Sequence, residues 1–504
     1  MVMNPLFFTD GYKTSHHRQY PEGTTKVYSN FTPRSNSYAP KGCKKIISFG
    51  QQMVLKQIHN IFQENFFSKP KDVVCGEMKR ELSLYLGMDY DVSHFEALHD
   101  LGYLPIKVQS IKEGTLVPMR VPVLTIYNTK PEFFWVTNYL ETMLTNILWK
   151  PITSATIAYQ YYNILKKYQL LTDKDNNGAV DFQGHDFSMR GMSSIDSAML
   201  SGLGHVTSFL GTDTLPVIIG AREYYNEEGF VVGSVNATEH SVMCAGSKEG
   251  ELATFKRLME IYPEGILSIV SDTWDLWKVI TEILPTLKEE IINRKGKIII
   301  RPDSGNPVDI ICGFDKPVAL YRDPISAKRF NASEEEAKGV IELLWDIFGG
   351  TINEQGYKVL DPHIGAIYGD SITIERAEQI CERLKTKGFA STNVVLGIGS
   401  YTYQMNSRDT FGFAMKATYV EINGVGQNIF KDPVTDDGIK KSAVGLLKVI
   451  KDDNGDLHLL DSVTPNEINE GELIPIYVDG VFFNKTSLSE IREVIKENRK
   501  INED

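Results

Sequence analysis

From about residue 180 to residue 404 the chain repeats one unit. A short apolar or β-branched run ends in a polar loop, and in most cases a helical pattern follows. Three of the clear runs are Gly229–Val235 ahead of Asn236–His240, Ile266–Val270 ahead of Ser271-Asp272, and Lys297–Ile300 ahead of Arg301-Pro302-Asp303-Ser304-Gly305. Two more are Ile364–Tyr368 ahead of Gly369-Asp370-Ser371 and Val394–Leu396 ahead of Gly397-Ile398-Gly399-Ser400. Strands buried on both faces read as unbroken apolar runs, and alternation with helices implies crossovers between parallel neighbours. The fold class is therefore α/β, and the number of units favours a barrel over a small open sheet. Upstream, Phe134 to Leu170 carries apolar residues at three- and four-residue spacings through Trp135, Tyr139, Leu140, Met143 and Ile147. Pro151 is predicted to open the next helix there. After about Arg408 the pattern becomes antiparallel, with strand-like runs flanking Gly424, Asp453-Asn454-Gly455 and Asp479-Gly480. Asn-Gly and Asp-Gly between such runs signal hairpins. A last helix starts at Ser487, with Glu490 completing a capping box and Leu488, Ile491, Val494 and Ile495 as its apolar stripe.

Composition narrows the function classes. At 504 residues with 42% hydrophobic and 23% charged positions, the chain is an ordinary globular protein large enough for two or more structural units. A net charge of −12 argues against a nucleic-acid partner, which calls for a basic face. No apolar run approaches 18 residues, so no membrane span is expected. Met1 to Tyr12 lacks a basic n-region and does not read as a signal peptide. The five cysteines are scattered and form no CxxC pair, which points to a reducing, cytoplasmic setting and no structural zinc.

Parallel α/β folds bind ligands where the loops leave the C-terminal ends of the strands. Those loops hold Arg190, Asp213, His240, Asp272, Arg301, Asp303 and Asp370, beside the Gly399-Ser400 turn. Taken singly, an Asp or Ser before a helix is often only an N-cap, and a lone His or Arg in a loop is more often a surface group. Gly397-Ile398-Gly399 could be a plain tight turn, and Glu239-His240 has no second His at helical spacing to make a zinc site. Recurrence across successive strand ends is what favours a binding site. Arginine forks, several carboxylates and a glycine turn suit a phosphorylated sugar, a ligand class rather than a reaction.

An ordered series of motifs extends this reading over nearly the whole chain. It runs from Thr9-Asp10-Gly11-Tyr12-Lys13 and Gln19-Tyr20-Pro21 through His185-Asp186-Phe187-Ser188-Met189-Arg190-Gly191 and Gly211-Thr212-Asp213-Thr214. Ser234-Val235, Ala237, Glu239-His240-Ser241, Val270-Ser271-Asp272 and Arg301-Pro302-Asp303-Ser304-Gly305-Asn306-Pro307 follow. Gly369-Asp370, Gln404, Arg408-Asp409, Lys416 and Phe430-Lys431-Asp432-Pro433-Val434 close it. In these residues the sequence resembles the nicotinamide phosphoribosyltransferase family, within the type II phosphoribosyltransferases. The resemblance implies an irregular parallel β/α barrel over 151–404. It adds a smaller, mainly antiparallel α+β domain built from both chain ends, 1–150 and 405–504.

The resemblance also implies roles. Phe187 stacks on the pyridine ring, Tyr12 of a neighbouring subunit closes the other face, and Asp213 accepts a hydrogen bond from the carboxamide. Arg190, His240 and Arg301 meet the pyrophosphate or the ring-side phosphate, while Asp303, Gly369 and Asp370 meet the ribose. Gly399, Ser400 and Arg408 hold the 5′-phosphate with Lys416, Lys431 and Arg34, and Lys440 and Lys441 fall in a loop near the site. Asp10 and Tyr12, with Arg408 and Lys416, complete the pocket of the opposite subunit in a homodimer with shared active sites. His240, Asp272 and Asp303 form the catalytic set, with Asp272 expected to orient the imidazole. The implied substrates are nicotinamide and phosphoribosyl pyrophosphate, with Mg2+ arriving on the pyrophosphate and ATP phosphorylating His240 as an activating co-substrate. No protein-held metal site is expected. Three positions depart from the family pattern: Gly399-Ser400-Tyr401 has fewer glycines, Ala414 replaces a hydroxyl residue, and Asn236 replaces a proline. Two rivals keep the fold. One is nicotinate phosphoribosyltransferase; the other is a non-catalytic nucleotide-binding protein, which would not need both His240 and the pyrophosphate arginines.

Overall fold

The protein is described by a computed structural model over residues 3–314, 319–321, 329–431 and 443–501; Lys440 and Lys441 lie outside the described residues. Its chain divides into two compact units. One comprises Ala158–Ile218 and Phe230–Met405, the other Met1–Ile157, Ile219–Gly229 and Asn406–Asp504.

The first of these is built on seven parallel strands in the order Gly211–Thr212, Gly184–Asp186, Val394–Ile398, Ile364–Tyr368, Ile298–Arg301, Leu267–Val270 and Asn236–Ala237. The middle strands are unbroken apolar runs, such as Ile298-Ile299-Ile300, buried on both faces. Gly211 also bridges Gly233, so the segment leading into Asn236–Ala237 touches both ends of the order and the sheet curls into an irregular barrel. The run Gly229–Val235 is not the strand that the sequence suggests. Gly229 turns at φ 71°, Phe230 and Val235 stay exposed, and only Asn236–Ala237 pairs along Leu267–Ser268.

The second unit is an antiparallel sheet that uses both ends of the chain. Its order is Val425–Asn428, Ala414–Ile422, Thr24–Thr32, Leu124–Asn128, Ile106–Ser110, Ile474–Val478 and Val481–Phe482. The long ladder between Thr24–Thr32 and Ala414–Ile422 joins residues nearly 400 positions apart, with Thr24 opposite Ile422 and Thr32 opposite Ala414. Beneath it Phe31 stacks on Phe413 with ring centroids 5.1 Å apart, within a core that also holds Val54, Ile58, Phe62 and Ile126. The capping box of the last helix, Leu488–Ile501, is present: Ser487 N–H donates to Glu490 and Glu490 N–H to the Ser487 hydroxyl.

Two expectations are corrected. Pro151 does not open a helix but sits inside one, Glu141–Thr172. Its ring packs on Gly50, where a Cβ would stand 2.7 Å from the proline Cγ, so packing compensates the lost donor. Residues 219–229, which lie within 151–404, pack in the antiparallel unit instead. Tyr225 is fully buried there, stacked on Phe49 at 5.6 Å, and the Gln52 side chain donates to the Tyr224 carbonyl.

The anchor for this segment is Glu113, a wholly buried carboxylate. It accepts from Gly50 N–H at 3.0 Å, Gln52 N–H at 2.7 Å and the Tyr225 hydroxyl at 2.9 Å. It thereby caps the helix Gln51–Phe62 and holds the 219–229 excursion at once. Glu113→Gln sets an NH2 against these donors and is expected to cost about 1–3 kcal/mol, the usual penalty for a buried donor left unsatisfied. Urea unfolding measures it, and a midpoint equal to wild type would refute the anchoring role.

Candidate active site

Because the strands are parallel, their C-terminal ends lie on one side of the barrel, and the charged loop residues gather there. Asp213 follows Gly211–Thr212, Phe187 follows Gly184–Asp186, and Gly399-Ser400 follows Val394–Ile398. Gly369-Asp370 follows Ile364–Tyr368, Arg301 ends its strand with Asp303 just beyond, Asp272 follows Leu267–Val270, and His240 follows Asn236–Ala237.

At one part of this rim three carboxylates and a histidine converge. His240 Nδ1 lies 3.1 Å from the Thr273 hydroxyl, and Nε2 faces Asp272 at 4.0 Å and Asp303 at 3.8 Å. Asp272 therefore does not orient the imidazole by a hydrogen bond, as the sequence reading expects; Thr273 does. Asp272 is engaged elsewhere, for its Oδ2 accepts the backbone N–H groups of Asp303 and Ser304, both at 2.7 Å. Its Oδ1 is buried with no hydrogen-bond partner among the described residues. Burial pushes the Tyr368 phenol up, and the negative charges of Asp272, Asp370 and Asp303 raise it further, a measure of how closely they gather. Asp370 itself accepts from the Ser371 hydroxyl at 2.6 Å. Gly369 permits this crowding: a Cβ there would meet Asp303 Oδ1 at 2.5 Å and Arg301 Nε at 2.9 Å.

The same residues bear on magnesium. Hard oxygen donors suit it, and the orphaned Asp272 Oδ1 beside Asp303 is such a donor. Among the described residues no cluster of three or more ligating side chains forms a cage. The donor set thus fits an ion held by one or two carboxylates together with substrate phosphate oxygens.

A cavity of about 460 Å³ opens into the barrel from this rim, lined by His185, Phe187, Asp213, Ser234, Ile299 and Arg301 among others. The Arg301 guanidinium lies 4.9 Å over the Phe187 ring, and Arg301 Nε is buried without a hydrogen-bond partner among the described residues. Asp213 is half-buried, and Oδ1 receives His185 Nε2 at 2.9 Å and the Ser234 hydroxyl at 2.5 Å. Burial alone would push this carboxyl up. The bonds from His185 and Ser234, with the charges of His185 and Arg301, outweigh it and hold Asp213 below the usual carboxylate range. On the remaining side Arg190 is exposed in the turn Met189–Gly191, and Gly191 brings that turn against Ser400, since a Cβ there would meet the Ser400 hydroxyl at 2.1 Å.

Comparison with known proteins agrees with this geometry. Residues 182–464 match the family model of nicotinate phosphoribosyltransferase (NAPRTase), and residues 4–108 match that of the nicotinamide phosphoribosyltransferase N-terminal domain. The nicotinamide phosphoribosyltransferase of Acinetobacter baylyi is 50% identical over 97% of both chains. The chain belongs to the nicotinamide phosphoribosyltransferase family. A second member, from Mycoplasma pneumoniae, is 37% identical over 86% of this chain and 92% of its own. Two crystal structures share the fold at a TM-score of 0.55 each. Nicotinate-nucleotide pyrophosphorylase from Pyrococcus furiosus is 15% identical, covering 99% of this chain and 96% of its own. Human nicotinic acid phosphoribosyltransferase is 14% identical, covering 98% and 94%. Like the rest of its family, the chain is a phosphoribosyltransferase, and so a pentosyltransferase.

The family residues outside the barrel unit gather in the antiparallel unit. Lys416 sits opposite Asn30 in the long ladder, and burial lowers its ammonium pKa. Glu141 opposes that shift, while the cations of Arg34, Lys431 and Arg408 add to it. Arg34 Nε donates to the Gly412 carbonyl at 2.9 Å, and exposed Arg408 pairs loosely with Asp409 at 3.4 Å. Asp10 accepts from the Thr142 hydroxyl at 2.5 Å, and Tyr12 is 64% exposed.

Reading the loops for charge misses His185, Ser234 and Thr273. The signals were there: His185 stands two residues before Phe187 across a strand end, with the rings 4.7 Å apart, and Thr273 directly follows Asp272. Gly369→Ala tests the crowding at the rim. Its methyl must displace Asp303 or Arg301, so kcat/KM is expected to fall at least about tenfold, roughly 1.4 kcal/mol, with the thermal midpoint nearly unchanged. Steady-state kinetics with full activity would show that the close approach is incidental.

Proposed function

We propose that the enzyme transfers the phosphoribosyl group of phosphoribosyl pyrophosphate to nicotinamide, giving nicotinamide mononucleotide and pyrophosphate in NAD biosynthesis. The observation that carries the choice of base is the ionised Asp213 carboxylate on the cavity wall beside Phe187 and Arg301. It can accept a hydrogen bond from an amide NH2, worth roughly 1.5–3 kcal/mol for a charged partner. A nicotinate carboxylate there meets a like charge and supplies no donor.

In this reading the bond from the anomeric carbon to pyrophosphate oxygen breaks with its electron pair leaving on pyrophosphate. The pyridine nitrogen lone pair forms the new bond from the opposite face. Arg301 and Arg190 stabilise the departing charge, Asp303 and Asp370 hold the ribose hydroxyls, and Phe187 orients the ring, so catalysis is positioning and electrostatics. Bound magnesium would neutralise pyrophosphate charge, with Asp272 and Asp303 as its protein oxygens. Gly399 and Ser400 take the 5′-phosphate, and the partner subunit supplies Arg408 and Lys416 to it. We place the reaction in the cytoplasm, a setting supported by five scattered, unpaired cysteines.

ATP coupling through His240 is part of the proposal. In the tautomer that donates Nδ1–H to Thr273, the imidazole keeps a lone pair on Nε2, the nitrogen that faces the carboxylate cluster. That lone pair attacks the γ-phosphorus, ADP leaves with the bonding electrons, and later hydrolysis of the phosphoramidate returns imidazole and phosphate. We also propose a homodimer in which Asp10 and Tyr12 complete the partner's site, as exposure of Tyr12 would allow.

Pyrophosphate release from nicotinamide and phosphoribosyl pyrophosphate is the direct assay. Wild type is expected to prefer nicotinamide over nicotinate by at least about a hundredfold in kcat/KM, roughly 2.7 kcal/mol. Asp213→Ser should narrow that gap chiefly by admitting nicotinate. Equal use of both bases would move the assignment to nicotinate.

His240→Ala is expected to abolish ATP hydrolysis and acid-labile protein phosphate while leaving the thermal midpoint intact. Labelling that persists on this variant removes His240 as the acceptor. Mixed with Tyr12→Ala subunits, it should regain activity; failure to do so counts against shared sites.

A further inference from the structure

We propose that His185 determines the choice of amide over acid, as a positioning residue that acts through Asp213. The proposal rests on the reading that Asp213 faces the pyridine substituent. His185 lies in the strand Gly184–Asp186, two residues before Phe187, so alternation turns both rings to the barrel interior, with centroids 4.7 Å apart. Its Nε2 stands 2.9 Å from Asp213 Oδ1, and the Ser234 hydroxyl donates to the same oxygen at 2.5 Å. Among the described residues nothing donates to Oδ2.

The ring of His185 is held this way round by its other edge. Its Nδ1 packs on Gly211, where a Cβ would stand only 2.6 Å away, and finds no hydrogen-bond partner there among the described residues. An ionised carboxylate only accepts, so the imidazole carries a proton on Nε2. Two donors from different segments thus converge on one carboxylate oxygen and fix its rotation.

The chemical consequence falls on the other oxygen. Oδ2 stays a bare acceptor, suited to an amide N–H. To tolerate a nicotinate carboxylate, Asp213 would have to take up a proton on Oδ2 and donate it. The two bonds at Oδ1 favour the ionised form and oppose that uptake. Removing His185 leaves Asp213 freer to rotate and easier to protonate, so the acid gains access more than the amide loses it.

The test measures kcat/KM for nicotinamide and for nicotinate in the full-length enzyme. His185→Phe should lower the amide preference at least about tenfold, while His185→Gln, whose amide nitrogen can replace Nε2, should keep it within about threefold. Ser234→Ala, at an exposed position, should shift the preference the same way by less, and it carries the test if His185→Phe does not fold. In an Asp213→Ser background, His185→Phe should leave the ratio where Asp213→Ser alone puts it, because the effect runs through the carboxylate. A wild-type ratio in His185→Phe, or in Ser234→Ala should His185→Phe not fold, with a collapsed ratio in Asp213→Ser, would overturn this inference alone. An unchanged ratio in Asp213→Ser would overturn the reading of the base beneath it.

Discussion

One carboxylate oxygen organises the barrel rim. Asp272 Oδ2 receives the backbone N–H groups of both Asp303 and Ser304 at 2.7 Å, tying the end of one parallel strand to the loop that leaves its neighbour. Bonds of this charged kind are worth about 1.5–3 kcal/mol each, enough to fix a loop of several residues. With that loop fixed, Arg301 ends its strand beside Phe187, Asp303 comes within 3.8 Å of His240, and Gly369 can close on both. The second oxygen of Asp272 stays buried and unpaired among the described residues, a polar group whose cost is offset once a cation or donor meets it.

Charge is sorted by unit. The barrel rim concentrates Asp272, Asp303 and Asp370 around Tyr368, while the antiparallel unit concentrates Arg34, Arg408, Lys416 and Lys431 around the long ladder. A chain with net charge −12 can therefore serve an anionic substrate, because the local field and not the total decides what binds. Lys416 bears the burden of this gathering, with burial and three like charges against it and Glu141 in its favour.

Buried polar networks support the reading surface from behind. His205 is fully buried, with Nδ1 2.7 Å from the Tyr403 hydroxyl and Nε2 3.1 Å from the Gly211 carbonyl. It links the helix Ser400–Gln404 to the strand that presents Asp213. Burial lowers its pKa to about 4, so it stays neutral and keeps one donor and one acceptor for these two partners.

Much of this was legible in the sequence. Continuous apolar runs such as Ile298-Ile299-Ile300 determined the parallel strands, Asp479-Gly480 and Asn454-Gly455 determined hairpins, and the charged residues after each run marked the rim. These signals are local: they depend on side-chain period, on turn chemistry and on strand polarity, and all three are written in neighbouring residues. Tertiary structure decided what depends on distant partners. Only the packing of Pro151 on Gly50 carries one helix through a proline, and only Glu113 and Phe49 draw residues 219–229 out of the barrel stretch. Likewise Thr273 rather than Asp272 meets His240, and His185 and Ser234 share one oxygen of Asp213, because hydrogen bonds are settled within a few tenths of an ångström. Sequence spacing places residues on loops and faces, but it does not resolve distances that small.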